Sequence, residues 1–185
     1  MRNFYLSVMA AMLLAMPAVS GAAESNPKQA VAAKAAGQLG QEMRKKLTES
    51  MQKNGPAGAI DVCAKDAPAI SARIENELGV TIKRTSLKYR NTQNAPDAAE
   101  RQVLGVLAAA HSAGEKLPQG VTAFQNDRNR FYKAITMEQT CLKCHGDSTT
   151  MSEAVRKEVA TTYPEDKAVG YKEGDFRGII SVTVK

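Results

Sequence analysis

The sequence predicts a single α+β domain, an antiparallel sheet flanked by helices with a long helix at its N-terminal end. Three observations lead there. Apolar residues recur at helical spacing through the first half of the chain. Gly178–Lys185 alternates as a strand. The 185 residues, less a leader, suit one ordinary domain.

The leader comes first. Arg2 precedes an almost uncharged apolar run from Phe4 to Val19, followed by the small residues Ser20-Gly21-Ala22-Ala23. A charged start, an apolar middle and a small-residue cleavage site read as a secretory signal peptide over residues 1–22. The alternative is a retained anchor, but a membrane span needs about 20 apolar residues, and this run is shorter and carries Pro17. Cleavage after Ala22 leaves residues 23–185 as a single domain in the periplasm. No later segment is apolar enough to span a bilayer.

Ser25 to Met51 is rich in Ala, Gln, Lys and Glu, and Leu39, Met43, Leu47 and Met51 recur every four residues, as on one face of a helix. Asn54-Gly55-Pro56 should end it. A second helix places Cys63, Ala67, Ile70, Ile74 and Leu78 on one stripe, with a split or kink at Pro68 and a stop at Gly79. Val80 to Arg90 alternates like a strand, but its apolar phase shifts between Ile82 and Leu87, so a bulge or break belongs near Arg84 to Ser86. After a polar loop, Asp97 to Gly114 reads as a helix with Val103, Leu104, Val106 and Leu107 as its apolar part. Phe131 to Met137 suits a strand and Met151 to Ala160 a short helix. In the final strand Ile180, Val182 and Val184 face one way, Ser181 and Thr183 the other.

Composition excludes more than it assigns. The net charge of +6 is modest, aromatic residues make up 5% and Trp is absent, so nothing marks a nucleic-acid platform. The basic cluster Arg44-Lys45-Lys46 lies near Glu42 and Glu49 and reads as a solvated helix face. An exported protein works where thiols oxidise, yet the three cysteines, Cys63, Cys141 and Cys144, cannot all pair with one another.

Cys141-Leu-Lys-Cys144-His145 explains two of them. Thiols three residues apart on one turn can add to the two vinyl groups of one haem, and the histidine beside them can ligate its iron. Export fits, because c-type haem attachment in bacteria happens outside the cytoplasm. A Cys141–Cys144 disulfide would close too short a loop to stabilise much, and no βαβ pattern supports a thioredoxin-like pair. Zinc held by Cys63, Cys141, Cys144 and His145 has the correct ligand types, but adjacent Cys144 and His145 reach one small ion awkwardly. For the other side of the iron, His111, Met137, Met151, Cys63 and an open site are candidates. Cys63 lies on the apolar stripe of its helix, and buried structural cysteine and iron ligand are both open readings.

The chain resembles a family of small exported c-type haem proteins with a PAS-like fold, first recognised in a cyanobacterial cytochrome. The resemblance runs from about Met51 to the C-terminus. It rests on Ile60-Asp-Val-Cys63-Ala-Lys-Asp-Ala-Pro68-Ala-Ile70, Arg84-Thr-Ser-Leu-Lys-Tyr-Arg90-Asn91, and Asn94-Ala-Pro96-Asp97 with Glu100. It continues through Cys141-Leu-Lys-Cys144-His145-Gly146-Asp147 and Val169-Gly-Tyr171-Lys-Glu-Gly174-Asp-Phe-Arg177-Gly178. Thr92 departs from it where proline is expected. The resemblance implies one haem c per chain, a histidine/cysteine axial pair with Cys63 as the distal ligand, and a PAS-like sheet flanked by helices. Arg84, Lys88 and Arg90 are candidate partners of the haem propionates. A thiolate favours ferric iron and so a low potential, and a ligand that loosens on reduction is a switch. The expected function is redox or diatomic-gas sensing, with low-potential electron transfer as the alternative and no enzyme activity. The expected partner is a signalling or redox protein, with no nucleic acid; a homo-oligomer is compatible with this reading.

Overall fold

The computed structural model describes residues 26–125 and 128–185, so the leader expected over residues 1–22 lies outside the described residues. Helix α1 spans Pro27–Gly58, α2 Ala67–Leu78, α3 Ala98–Ser112, α4 Leu142–His145 and α5 Glu153–Thr162. Strands β1 (Val80–Thr85), β2 (Val121–Gln125), β3 (Arg128–Thr136) and β4 (Phe176–Val184) form one sheet in the order β1-β4-β3-β2. Every neighbouring pair is antiparallel. This is the α+β architecture expected, with helices on both faces of the sheet behind a long first helix.

Helix α1 starts at Asn26, whose side chain accepts from the Lys28 amide at 3.0 Å, and it is kinked at Gly55, where φ is 71° and Pro56 follows. The helix is therefore broken where the sequence marks a stop, but the chain turns back into helix through Gly58. Ala32, Ala35, Ala36, Leu39 and Met43 are buried against α2 and the sheet residues Val80, Ile82, Phe131, Ile180 and Val182. Small residues let the helix axis approach the strands closely, and Arg73 of α2 ties it down further by pairing with Glu42. The opposite face of the sheet packs Tyr132 and Ile179 against Leu104 and Leu107 of α3.

Some expectations need correction. Val106 is 69% exposed and takes no part in the core. β4 is central and covered on both faces, so Ile179 and Ser181 are buried as well as Ile180 and Val182; simple alternation of inside and outside does not apply to such a strand. β2 was not foreseen: it is a short edge strand paired with β3 alone. β1 ends at Thr85, where the phase shift pointed, and α3 begins at Asp97 with a reciprocal cap between Asp97 and Glu100.

Candidate haem site

Between α1 and the sheet lies a cavity of about 310 Å³, within the size range of cofactor pockets. Its first wall is the predicted stripe of α1: Leu39, Met43, Leu47 and Met51 all line it. A second wall is the turn after α1, with Ala59, Ile60 and Cys63. Cys63 sits on a π-helical turn, Val62–Asp66, closed by the Ala67 amide donating to Val62 O. Pro68 explains this locally. It has no N–H to give to the preceding turn, so the chain widens before α2 begins. Pro68 thus shapes the start of α2 without kinking its interior.

The sheet forms the floor. Arg84, Ile180 and Lys133 are directly opposed across β1, β4 and β3, so they share one face, and all three line the cavity. One step along, Gly178 of β4 faces Ile135 of β3. Gly178 has φ of 154°, and a Cβ there would lie 2.4 Å from Thr85 O. Only glycine permits that approach.

The remaining wall carries the cysteine pair. A 3₁₀ turn, Gln139–Cys141, runs into α4, placing Cys141, Cys144 and His145 around one turn, and all three line the cavity. Gly146 ends α4, and a Cβ there would be 2.6 Å from Leu142 O. The chain is then stitched back by Gly170 N donating to Gly146 O at 2.7 Å and Tyr171 N to His145 O at 3.0 Å. His145 Nδ1 lies 2.7 Å from Ala168 O. A carbonyl can only accept, so Nδ1 carries the proton and Nε2 keeps its lone pair. Burial, with the Arg90 and Arg177 charges next, pushes the His145 pKa well below its usual value. The ring is therefore neutral, as a metal ligand must be. Burial likewise raises the Cys144 thiol, opposed by Arg90. The thiols of Cys63, Cys141 and Cys144 are all free, and among the described residues no group of three or more His, Cys, Asp or Glu is arranged to hold a metal ion by itself.

Charge around the cavity is one-sided. Arg44, Arg84, Arg90, Lys133 and Arg177 line it against Glu138 alone, and Glu138 already faces Arg44 at 3.5 Å on the exposed rim. Arg84 and Lys133 have no ion pair among the described residues. Arg90 Nε is buried without a hydrogen-bond partner. The arrangement suits an apolar planar body carrying carboxylates.

The predicted site residues divide accordingly. Cys63, Cys141, Cys144, His145, Arg84 and Arg90 meet around the cavity, and Met137 joins them. Lys88 does not line it: its Nζ bonds Val169 O and sits 4.3 Å over the Tyr171 ring. Met151 does not line the cavity: it is core behind Ile60 and Tyr163, packed with Val155 and Val159, and His111 lies in the last turn of α3. Sequence reasoning missed Lys133, Tyr163 and Arg177. Arg177 stood within a quoted motif, but its direction depends on the irregularity in the β3–β4 pairing between Gly178 and Phe176. Tyr163 needed the packing of α5, and burial, with Cys63 nearby, pushes its pKa up to about 12.

The Tll0287-like family matches residues 19–185. The chain belongs to that family. Among solved structures, the crystal structure of the cyanobacterial haem protein Tll0287 matches with a TM-score of 0.67 and 23% identity, over 86% of this chain and 96% of that one. Among curated proteins none matches. The Tll0287-like fold is thus shared over most of the chain. Among the described residues of this Tll0287-like protein, no helix is long and apolar enough to cross a membrane.

Proposed function

We propose that this is an exported, periplasmic haem protein with one haem c per chain, working in redox or diatomic-gas sensing and not as an enzyme. The observation that carries the reading is the joint placement of Cys141, Cys144 and His145 on one turn of a cationic cavity, with the His145 proton committed to Ala168 O. Support also comes from the family and from the haem protein whose fold the chain shares.

In this reading Cys141 and Cys144 would hold the haem covalently through thioether bonds and His145 Nε2 would ligate its iron. Cys63 would supply the second protein ligand, presented by its π-helical turn, a feature that recurs at functional sites. Arg84 and Arg90 would pair with the propionates, while Lys88, outside the cavity, is withdrawn from that role. The bound iron would supply one-electron chemistry and, where a ligand loosens, a site for carbon monoxide or nitric oxide. The chain's own residues fix the ring, exclude water through the α1 stripe and balance the carboxylates. A signalling partner protein would receive the change in the Cys63 segment. The competing reading is a low-potential electron carrier, favoured by the exposed rim at Arg44 and Glu138, where a redox protein could approach.

The test is absorption and EPR spectroscopy of ferric protein exported with the haem-attachment machinery, wild type against Cys63→Ser. Low-spin thiolate-type spectra, lost in the variant while haem stays attached, are expected. Unchanged spectra would remove Cys63 from the iron and favour Met137, which also lines the cavity. Slow, ligand-coupled reduction is expected of the sensor; fast exchange with both ligands retained would make it a carrier.

A further inference from the structure

Arg90 does more at this site than supply positive charge. Its side chain is 10% exposed and its partner Asp166 9%. Nη2 donates to Cys144 O at 2.5 Å, to Asp166 Oδ2 at 3.0 Å and to Ala168 O at 3.3 Å. The Ala168 peptide is held from its other side as well, its N–H donating to Asp166 Oδ1 at 2.8 Å. That same Ala168 carbonyl accepts the Nδ1 proton of His145 at 2.7 Å. One guanidinium therefore grips the cysteine motif and the carbonyl that orients the histidine, while its Nε, buried and without a partner, belongs to a residue lining the cavity.

We propose that Arg90 is the positioning residue of His145, and that its Nε donates to a carboxylate of the group bound in the cavity. The inference rests on the haem reading above and adds a coupling to it: the propionate, Arg90, Ala168 O and the His145 ring form one hydrogen-bonded chain. A carbonyl shared between the guanidinium and Nδ1–H pulls less on the imidazole proton than one serving the imidazole alone, because the arginine charge draws on its lone-pair density. A less electron-rich imidazole stabilises ferric iron less. The Arg90 charge itself is offset by Asp166, 3.0 Å away, so the effect runs through the Ala168 carbonyl. Arg90 therefore raises the potential against the thiolate's tendency to lower it.

The experiment uses haem-loaded Arg90→Met/Asp166→Asn protein, in which both members of the buried ion pair are replaced so that neither charge is stranded. Covalent haem content, midpoint potential and the hyperfine-shifted NMR signal of the His145 Nδ1 proton are read against wild type and Arg84→Gln. The double variant should keep its haem, shift to a more negative potential and move the Nδ1 signal. Arg84→Gln should lower the potential by charge alone and leave that signal in place. An unmoved Nδ1 signal in the double variant, or identical behaviour of the two variants, would overturn the proposal. Should the double variant fail to fold, Arg90→Lys decides in the same way. It keeps the charge but loses the fork, so the signal should move and the potential should fall in the same direction as in the double variant. Absence of covalent haem from the wild type would instead overturn the haem reading itself.

Discussion

At the residue scale the site separates cations that look alike in sequence. Arg84, Lys88 and Arg90 lie within seven positions of one another, yet only the first and last line the cavity. The reason is the end of β1 at Thr85: Arg84 is aimed by the sheet, whereas Lys88 follows the bend and settles on Tyr171. In a Cys141→Ser/Cys144→Ser background, where haem binds without covalent bonds, Arg84→Ala should weaken affinity about tenfold, the effect of losing one charge-assisted hydrogen bond. Lys88→Ala should leave affinity unchanged. Titration of haem into the three proteins reads both effects, and equal losses would return Lys88 to the propionates. The cysteine motif was legible because its chemistry needs contiguous residues. Lys133 was not, since its place beside Ile180 and Arg84 exists only once three strands are in register.

At the element scale, breaks were the legible features. The phase shift in Val80–Arg90 marked the end of β1, and the helix read from Asp97 does start there, on a reciprocal cap with Glu100 that only the structure shows. β2 escaped because an edge strand of five residues pairs on one side only and carries little apolar pattern. The π-helical turn at Cys63 escaped because it depends on which carbonyl the Ala67 amide reaches, a choice no side-chain periodicity records. The α3 cap offers a test away from the haem. Burial alone would raise the Asp97 carboxyl, but the Glu100 amide and the Arg130 guanidinium, 2.7 Å away, outweigh it and hold the pKa below its usual value. A group depressed in the folded state adds stability above its unfolded pKa and loses it as pH falls through the folded one. Asp97→Ala should cost about 1 kcal/mol at neutral pH in urea unfolding. The gap from wild type should narrow below the ordinary carboxylate range. A gap that stays constant on acidification would show that the ionised carboxylate is not the source.

On the scale of the whole molecule, one long helix serves two purposes. The Ala32, Ala35 and Ala36 end of α1 is packed on the sheet, while the Leu47 and Met51 end roofs the cavity. Periodicity showed the stripe, but not that it would line a cavity, with Leu39 and Met43 shared with the core. The cavity therefore joins an apolar roof to a floor of like charges, Arg84 and Lys133 across Ile180, with Arg90 and Arg177 beside them. In protein made without haem, Arg84 and Lys133 repel one another with no carboxylate between them, whereas Arg90 is already paired with Asp166. Salt should screen that repulsion, since the Debye length falls from about 10 Å at 0.1 M to about 3 Å at 1 M. The Tm of the haem-free protein should accordingly rise with sodium chloride. In the haem-loaded protein the propionates neutralise the floor and the covalent group fills the space, so its Tm should be higher at low salt and less dependent on salt. Arg84→Gln/Lys133→Gln, made without haem, should raise the low-salt Tm and flatten its salt dependence. If that variant gained nothing, the cations would be adequately solvated in the open cavity. Their placement would then add no electrostatic strain that haem has to relieve.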